Sequence, residues 1–143
     1  MRVAGPFSAH SGSGSRVACE PMTSDCLHRF VLDDLDIAGA VVRLGPVWQQ
    51  LLQDRGYPLP VTQLLGELSA SSLLVNSNLK QPGRVTIQLR GNGPVSLLVI
   101  DCTEQLQIRG MAKCVQEIVE GSLAELLGDG QLLLSLDMPS MRE

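Results

Sequence analysis

Two histidines and four cysteines carry most of the reactive chemistry this chain offers, and they are thinly spread. His10 lies in a Gly/Ser-rich stretch, while His28 borders an apolar run, where a structural or surface role outweighs general-base work. Cys19, Cys26, Cys102 and Cys114 follow neither a zinc spacing nor a CxxC redox pattern. Cys102 and Cys114 read as reduced residues packed like small hydrophobes; a disulfide between them requires neighbouring strands and an oxidising compartment. Asp33, Asp34 and Asp36 cluster, but without the glycine and distal glutamate of a calcium loop they read as a solvated turn. Gly12-Ser13-Gly14-Ser15 lacks the strand and helix of a nucleophile elbow, and Gly91 to Gly93 lack the Lys and helix of a phosphate loop. Glu67 falls in an apolar helical stretch, where a backbone group or an arginine is expected to satisfy it. No catalytic, metal or cofactor residue is assigned, and the chain reads as a non-enzyme.

The elements around these residues are better defined. Val85, Ile87 and Leu89 alternate with Arg84, Thr86, Gln88 and Arg90, the period of a strand with one buried face. Gly91-Asn92-Gly93-Pro94 supplies a turn whose residues tolerate positive φ, and Val95 to Ile100 returns as a strand apolar on both faces except at Ser96. Shorter strands are predicted over 27–32, 37–44, 105–112 and 131–137, the last with Leu132, Leu134 and Leu136 facing inward. Gly45-Pro46 opens a helix striped by Val47, Trp48, Leu51 and Leu52, with Trp48 read as a packing residue. Pro60 opens a second, whose face carries Val61, Leu64, Leu65, Leu68, Ser72, Val75 and Leu79. Ser122 and Glu125 have the spacing of a capping box for a short third helix. The expected class is α+β, a largely antiparallel sheet packed by two mid-chain helices. Residues 1–21 read as a disordered leader and 22–143 as one domain.

Composition narrows the functions available. The hydrophobic share is 44%, yet aromatic residues make up only 3%, which suits an aliphatic core and not base stacking. Net charge is -4 with lysines and arginines scattered singly, so nucleic acid is not an expected partner. No stretch approaches the roughly 18 apolar residues of a membrane span, and the N-terminus lacks a secretory apolar run. A cytoplasmic location without membrane contact is therefore expected. Leu97, Leu98, Val99 and Ile100, with Leu132, Leu133 and Leu134, demand more cover than two helices provide. Each 100 Å² left bare forfeits roughly 2.5 kcal/mol of transfer free energy, so these seven residues are the candidate contacts for a partner.

The segment from Leu79-Lys80 through Gly83, Val85-Thr86-Ile87-Gln88-Leu89 and Gly91-Asn92-Gly93-Pro94 resembles the N-terminal core of the redox-regulated 33-kilodalton heat-shock chaperones. Leu27-His28-Arg29-Phe30, Tyr57-Pro58 with Pro60-Val61, and Leu65-Gly66-Glu67-Leu68 resemble that family in the same order. The resemblance implies an ATP-independent holdase of the cytoplasm that binds unfolded clients under stress; a homo-oligomer, a dimer, is also expected. It also implies a C-terminal module in which CxC and CxxC pairs hold zinc and are oxidised to switch holding on. This chain contains neither pair, so no cofactor is expected in it, and it reads as a truncated core. The alternative expectation is a structural or dimerisation module that uses the same apolar sheet without holding clients.

Overall fold

The computed structural model describes residues 2–4 and 24–138, apart from Gln116 and Val119. Three strands form the first sheet: β1 (Arg2–Ala4), β2 (Cys26–Leu32) and β3 (Ile37–Arg43), all antiparallel in that order. Residues 5–21, with His10, Cys19 and the Gly/Ser run, lie outside the described residues, so the leader is met only at β1. The acidic segment between β2 and β3 closes as one 3-10 turn, Asp33–Leu35, with Asp36 in the left-handed region at φ 51°. Asp tolerates that conformation better than most residues.

Helix α1 (Pro46–Leu52) starts, as expected, with Pro at its first position. Gly45 has no side chain to cap it, so the cap comes from far along the chain. The Asp25 carboxylate accepts the N–H groups of Gly45 at 2.7 Å and Val47 at 3.1 Å. The Trp48 ring packs over Gly66 of α2 (Leu59–Ser77), where the missing side chain lets α1 approach.

The buried face of α2 is Val61, Leu65, Leu68, Ser69, Ser72, Leu73 and Asn76, a clean helical stripe rotated from the one hydrophobicity alone suggests. Val75, expected inside, is exposed, and two serines, Ser69 and Ser72, are fully buried. Their hydroxyls donate to the Leu65 and Leu68 carbonyls, each at 2.7 Å, so small polar side chains are buried without loss of hydrogen bonds. Asn76 donates to the carbonyls of Gly83 at 3.0 Å and Cys102 at 3.3 Å, pinning the helix end to the sheet beneath. Glu67, expected in an apolar setting, lies instead on the exposed side of α2.

That second sheet runs β6 (Ile108–Cys114), β5 (Val95–Thr103), β4 (Arg84–Arg90) and β7 (Gln131–Asp137), every pair antiparallel. The α+β class and its antiparallel character are as the sequence predicts. Strand β5 runs three residues beyond Ile100, and β6 starts at Ile108 because Glu104 to Gln107 form the turn. Leu106 adopts φ 60° there, and the Thr103 N–H donates to the Gln107 carbonyl. A short α3 (Leu123–Leu127) precedes β7, capped by the predicted box: Ser122 Oγ accepts from the Glu125 N–H, and the Glu125 carboxylate accepts from the Ser122 N–H.

Candidate functional site

Cross-strand register sorts the seven candidate residues into three environments. On the side facing α2, three rows of side chains cross the sheet. They are Leu98–Leu89–Leu132, Ile100–Ile87–Leu134 and Cys102–Val85–Leu136, read from β5 through β4 to β7. Leu98 and Ile100 are 0% exposed beneath α2, so these two belong to the core and are corrected as surface contacts. At the far end of the same rows Leu132, Leu134 and Leu136 are 63%, 46% and 38% exposed. These leucines point to the predicted side, but the helices pack on β5, β4 and β6 and leave β7 overhanging.

The opposite face carries one mainly apolar row, Met111–Val99–Gln88–Leu133, with Leu97 beside it on β5. Leu133 and Met111 are exposed, and Leu97 and Val99 are half-buried. Polar rows bound this strip. Asp101 stands opposite both Thr86 and Arg109, accepts from the Thr86 hydroxyl at 3.1 Å, and pairs with Arg84 at 3.4 Å. The result is an apolar centre with a charged margin, the anatomy of a protein-binding surface. Met111 was not singled out from the sequence; it follows Gly110 in a weakly alternating strand, and only register places it beside Val99.

The hairpin turn behaves differently from its reading. Gly91, Asn92 and Gly93 have no positive φ. Their N–H groups and bare Cα atoms instead form a seat for the end of α3. Both the Asn92 and Gly93 N–H groups donate to the Leu127 carbonyl at 3.0 Å, and a Cβ on Gly91 or Gly93 would collide with backbone of Leu126 and Leu127. Asn92 Oδ1 also accepts from the Asp129 N–H at 2.9 Å. Leu126 and Leu127 are buried by this docking, which delivers β7 to the edge of β4.

Neither described depression gathers reactive groups. One, of about 340 Å³, is lined by Pro82, Gly83, Arg84, Thr103, Glu104, Gln105 and Asp137, and the other by Pro46, Gln49, Gln50, Leu52 and Gln53. His28 and Glu67 line neither. Cys102 is buried, and burial, with the nearby Asp101 charge, pushes its thiol up to about 11 against a pull the other way from Asn76. Burial also raises the Cys114 thiol. Both are free thiols: Cys102 faces Ile108 and Cys114 faces Val95, opposite ends of one hairpin, roughly 20 Å apart at about 3.3 Å per residue. A disulfide needs Cα atoms within about 7 Å, so neighbouring strands do not suffice here.

Comparison with known proteins reports on this architecture directly. The sequence model of the family described as "Hsp33 protein" matches residues 25–143. The chain belongs to the Hsp33 family. It is 40% identical over 116 residues to the 33 kDa chaperonin of Aliivibrio salmonicida, covering 80% of this chain and 40% of that protein. It is 38% identical over 117 residues to that of Vibrio cholerae, covering 81% and 40%. Among solved structures, the 33 kDa chaperonin (Heat shock protein 33 homolog) of Thermotoga maritima superposes with a TM-score of 0.65 at 22% identity. That match covers 79% of this chain and 41% of the other, and it speaks for the fold. The chain thus spans about two-fifths of the length of these Hsp33 relatives. The zinc that the resemblance implies belongs to a C-terminal CxC and CxxC module, and the described residues do not fit it. Cys26, Cys102 and Cys114 lie on three different strands, and no group of three or more His, Cys, Asp or Glu among the described residues is placed to hold a metal. No helix among the described residues is long and apolar enough to cross a membrane.

Proposed function

We propose that this Hsp33-family core is a holdase: it binds exposed apolar segments of unfolding proteins, without nucleotide, and releases them unchanged. One observation carries the reading. The four-stranded sheet leaves apolar side chains outside the core on both of its faces, Leu97, Val99, Met111 and Leu133 on one and Leu132, Leu134 and Leu136 on the other. Fully burying one such leucine is worth about 1.5–3 kcal/mol, so two or three engaged together can detain a non-native chain. Non-directional apolar contact also suits clients that share no sequence.

The family supports a chaperone role, and the finer terms are part of the proposal: action in the cytoplasm, in a dimer, on unfolded clients. Oxidative switching is proposed for this chain only where a cysteine pair able to close a disulfide is supplied elsewhere, since its own described thiols are set apart. The test is light scattering of a thermally unfolding client mixed with the purified chain. Scattering is expected to fall with added chain and to recover in a Val99→Asp, Leu133→Asp variant. Undiminished scattering at stoichiometric excess, with the chain folded by circular dichroism, overturns the reading.

A further inference from the structure

The one Asn-Gly and the one Asp-Gly dipeptide of the chain, Asn92-Gly93 and Asp129-Gly130, meet where α3 docks on the hairpin turn. Asn92 Oδ1 accepts the Asp129 N–H at 2.9 Å, and Asn92 Nδ2 lies 3.5 Å from the Asp129 carboxylate. The Leu127 carbonyl beside them accepts the N–H groups of Asn92 and Gly93, each at 3.0 Å. An asparagine followed by glycine is open to attack on its side-chain amide by the next backbone nitrogen, because glycine places no Cβ beside that nitrogen. Here both reacting groups are held, the Gly93 nitrogen by its bond to Leu127 and the Asn92 amide by Asp129. Asn92 itself is exposed, so water reaches it.

We propose that Asn92-Gly93 is a deamidation site gated by α3: the docked helix keeps the amide intact, and the reaction, once it occurs while the helix is lifted, prevents reseating. The step consumes water and needs no oxidant or reductant. The Gly93 nitrogen loses its proton to solvent base and attacks Asn92 Cγ. A new N–C bond forms, and the side-chain nitrogen takes up a proton and leaves as ammonia. The five-membered imide then adds one water at either carbonyl. Opening at Cγ leaves aspartate; opening at the main-chain carbonyl leaves isoaspartate, with the backbone routed through Cβ. Ring closure needs the nitrogen and Cγ in attacking alignment, so the two bonds that pin them must open first.

Either product spoils the seat. Aspartate replaces the Nδ2 donor with a second carboxylate facing that of Asp129, a like-charge contact. Isoaspartate adds one main-chain atom between the two N–H groups that converge on Leu127. The turn has no slack for it, since even a Cβ on Gly93 would come within 2.6 Å of the Leu126 carbonyl oxygen. With α3 lifted, Leu126 and Leu127, 3% and 5% exposed when docked, are bared, and β7 loses the anchor that delivers it to β4. The change is covalent and one-way, so it outlasts the opening that allowed it.

Peptide mapping by mass spectrometry follows the replacement of the side-chain nitrogen by oxygen, at mildly alkaline pH, in the 143-residue chain and in a free peptide of residues 88–96. Deamidation at Asn92 is expected at least about 10-fold slower in the folded chain than in the peptide, the mark of a seat open a tenth of the time or less. Leu127→Ala, which weakens the docked end of α3, is expected to move the rate toward that of the peptide. Sub-denaturing urea on the unsubstituted chain is expected to do the same, and it decides the matter if that variant fails to fold. Chain enriched in the deamidated form by ion exchange is expected to exchange β7 amides faster than its parent, with β6 affected less. Equal rates in chain and peptide, no reaction at Asn92 in either, or a rate unmoved by both perturbations overturns the gate. Unchanged β7 exchange after deamidation overturns the loss of seating. Isomerisation at Asp129 leaves the mass unchanged and does not enter the readout. No client takes part in these measurements, so their outcome is separate from that of the holding assay.

Discussion

Along β6, Arg109 and Lys113 stand on the outer face, the register with β5 breaks between Val95 and Leu97, and the Ala112 N–H is taken by Tyr57 Oη at 3.1 Å. Helix α1 packs against the same strand. Along β7, the other edge of the same sheet, the ladder is regular, the first six residues are uncharged, and the helix cover has stopped one strand short. Both edges carry apolar residues on the helix side. What differs is whether the chain spends residues on closing them: one edge is finished within the monomer, and the other is left able to accept a further strand. An edge strand with a bare leucine row gains stability from any apolar cover it meets.

That contrast can be broken most strongly at the buried end of a shared row. Leu98→Ala is expected to lower unfolding free energy by about 2–5 kcal/mol in urea titration, while Leu132→Ala, in the same row on β7, should cost less than about 1 kcal/mol. Equal losses would mean that β7 is as well packed as β5. Gly91→Ala is expected to cost about 1–3 kcal/mol by forcing α3 off the hairpin turn, and to raise hydrogen exchange in β7 more than in β6. Tyr57→Phe should cost about 1 kcal/mol and speed exchange at Ala112 specifically, opening the guarded edge a little way toward the unguarded one.

Two titrations sharpen the picture with smaller effects. The Cys102 thiol, raised to about 11, should resist iodoacetamide at pH 8 while Cys26 reacts, as followed by mass spectrometry. Because its folded pKa is raised, the neutral thiol favours the fold below its ordinary value, and that contribution is lost as pH climbs toward 11. Glu125 shows the reverse sign. Its hydrogen bonds from Ser122 hold its carboxyl below the usual range, so the box supports α3 above the ordinary glutamate pKa and is lost as pH falls through the lowered one. The Ser122 amide shift in NMR should report that loss. An amide that stays constant across the acid range would remove the box as a support for α3 and hence for β7.

Much of this architecture is legible in the sequence because the signals are local. Alternation marks β4, Gln131 to Asp137 reads as a strand at its observed limits, and the Ser122–Glu125 box needs only four residues to declare itself. The rotated face of α2 was not legible, since Ser69 and Asn76 owe their burial to how closely the helix approaches the sheet. The glycines of the hairpin turn were misread for a similar reason. Their purpose lies in a carbonyl more than thirty residues away, at Leu127, and not in their own φ.

By itself the sequence determined the class of fold, the family, the strands that are apolar, and that these 143 residues hold no CxC or CxxC pair. Tertiary structure alone decided which leucines are hidden. Leu98 and Leu132 are the same residue type in strands of similar pattern, and they differ only because α2 spans β6, β5 and β4 and ends before β7. Periodicity specifies which way a side chain points; whether anything lies there to meet it depends on the width of a sheet against the width of its cover.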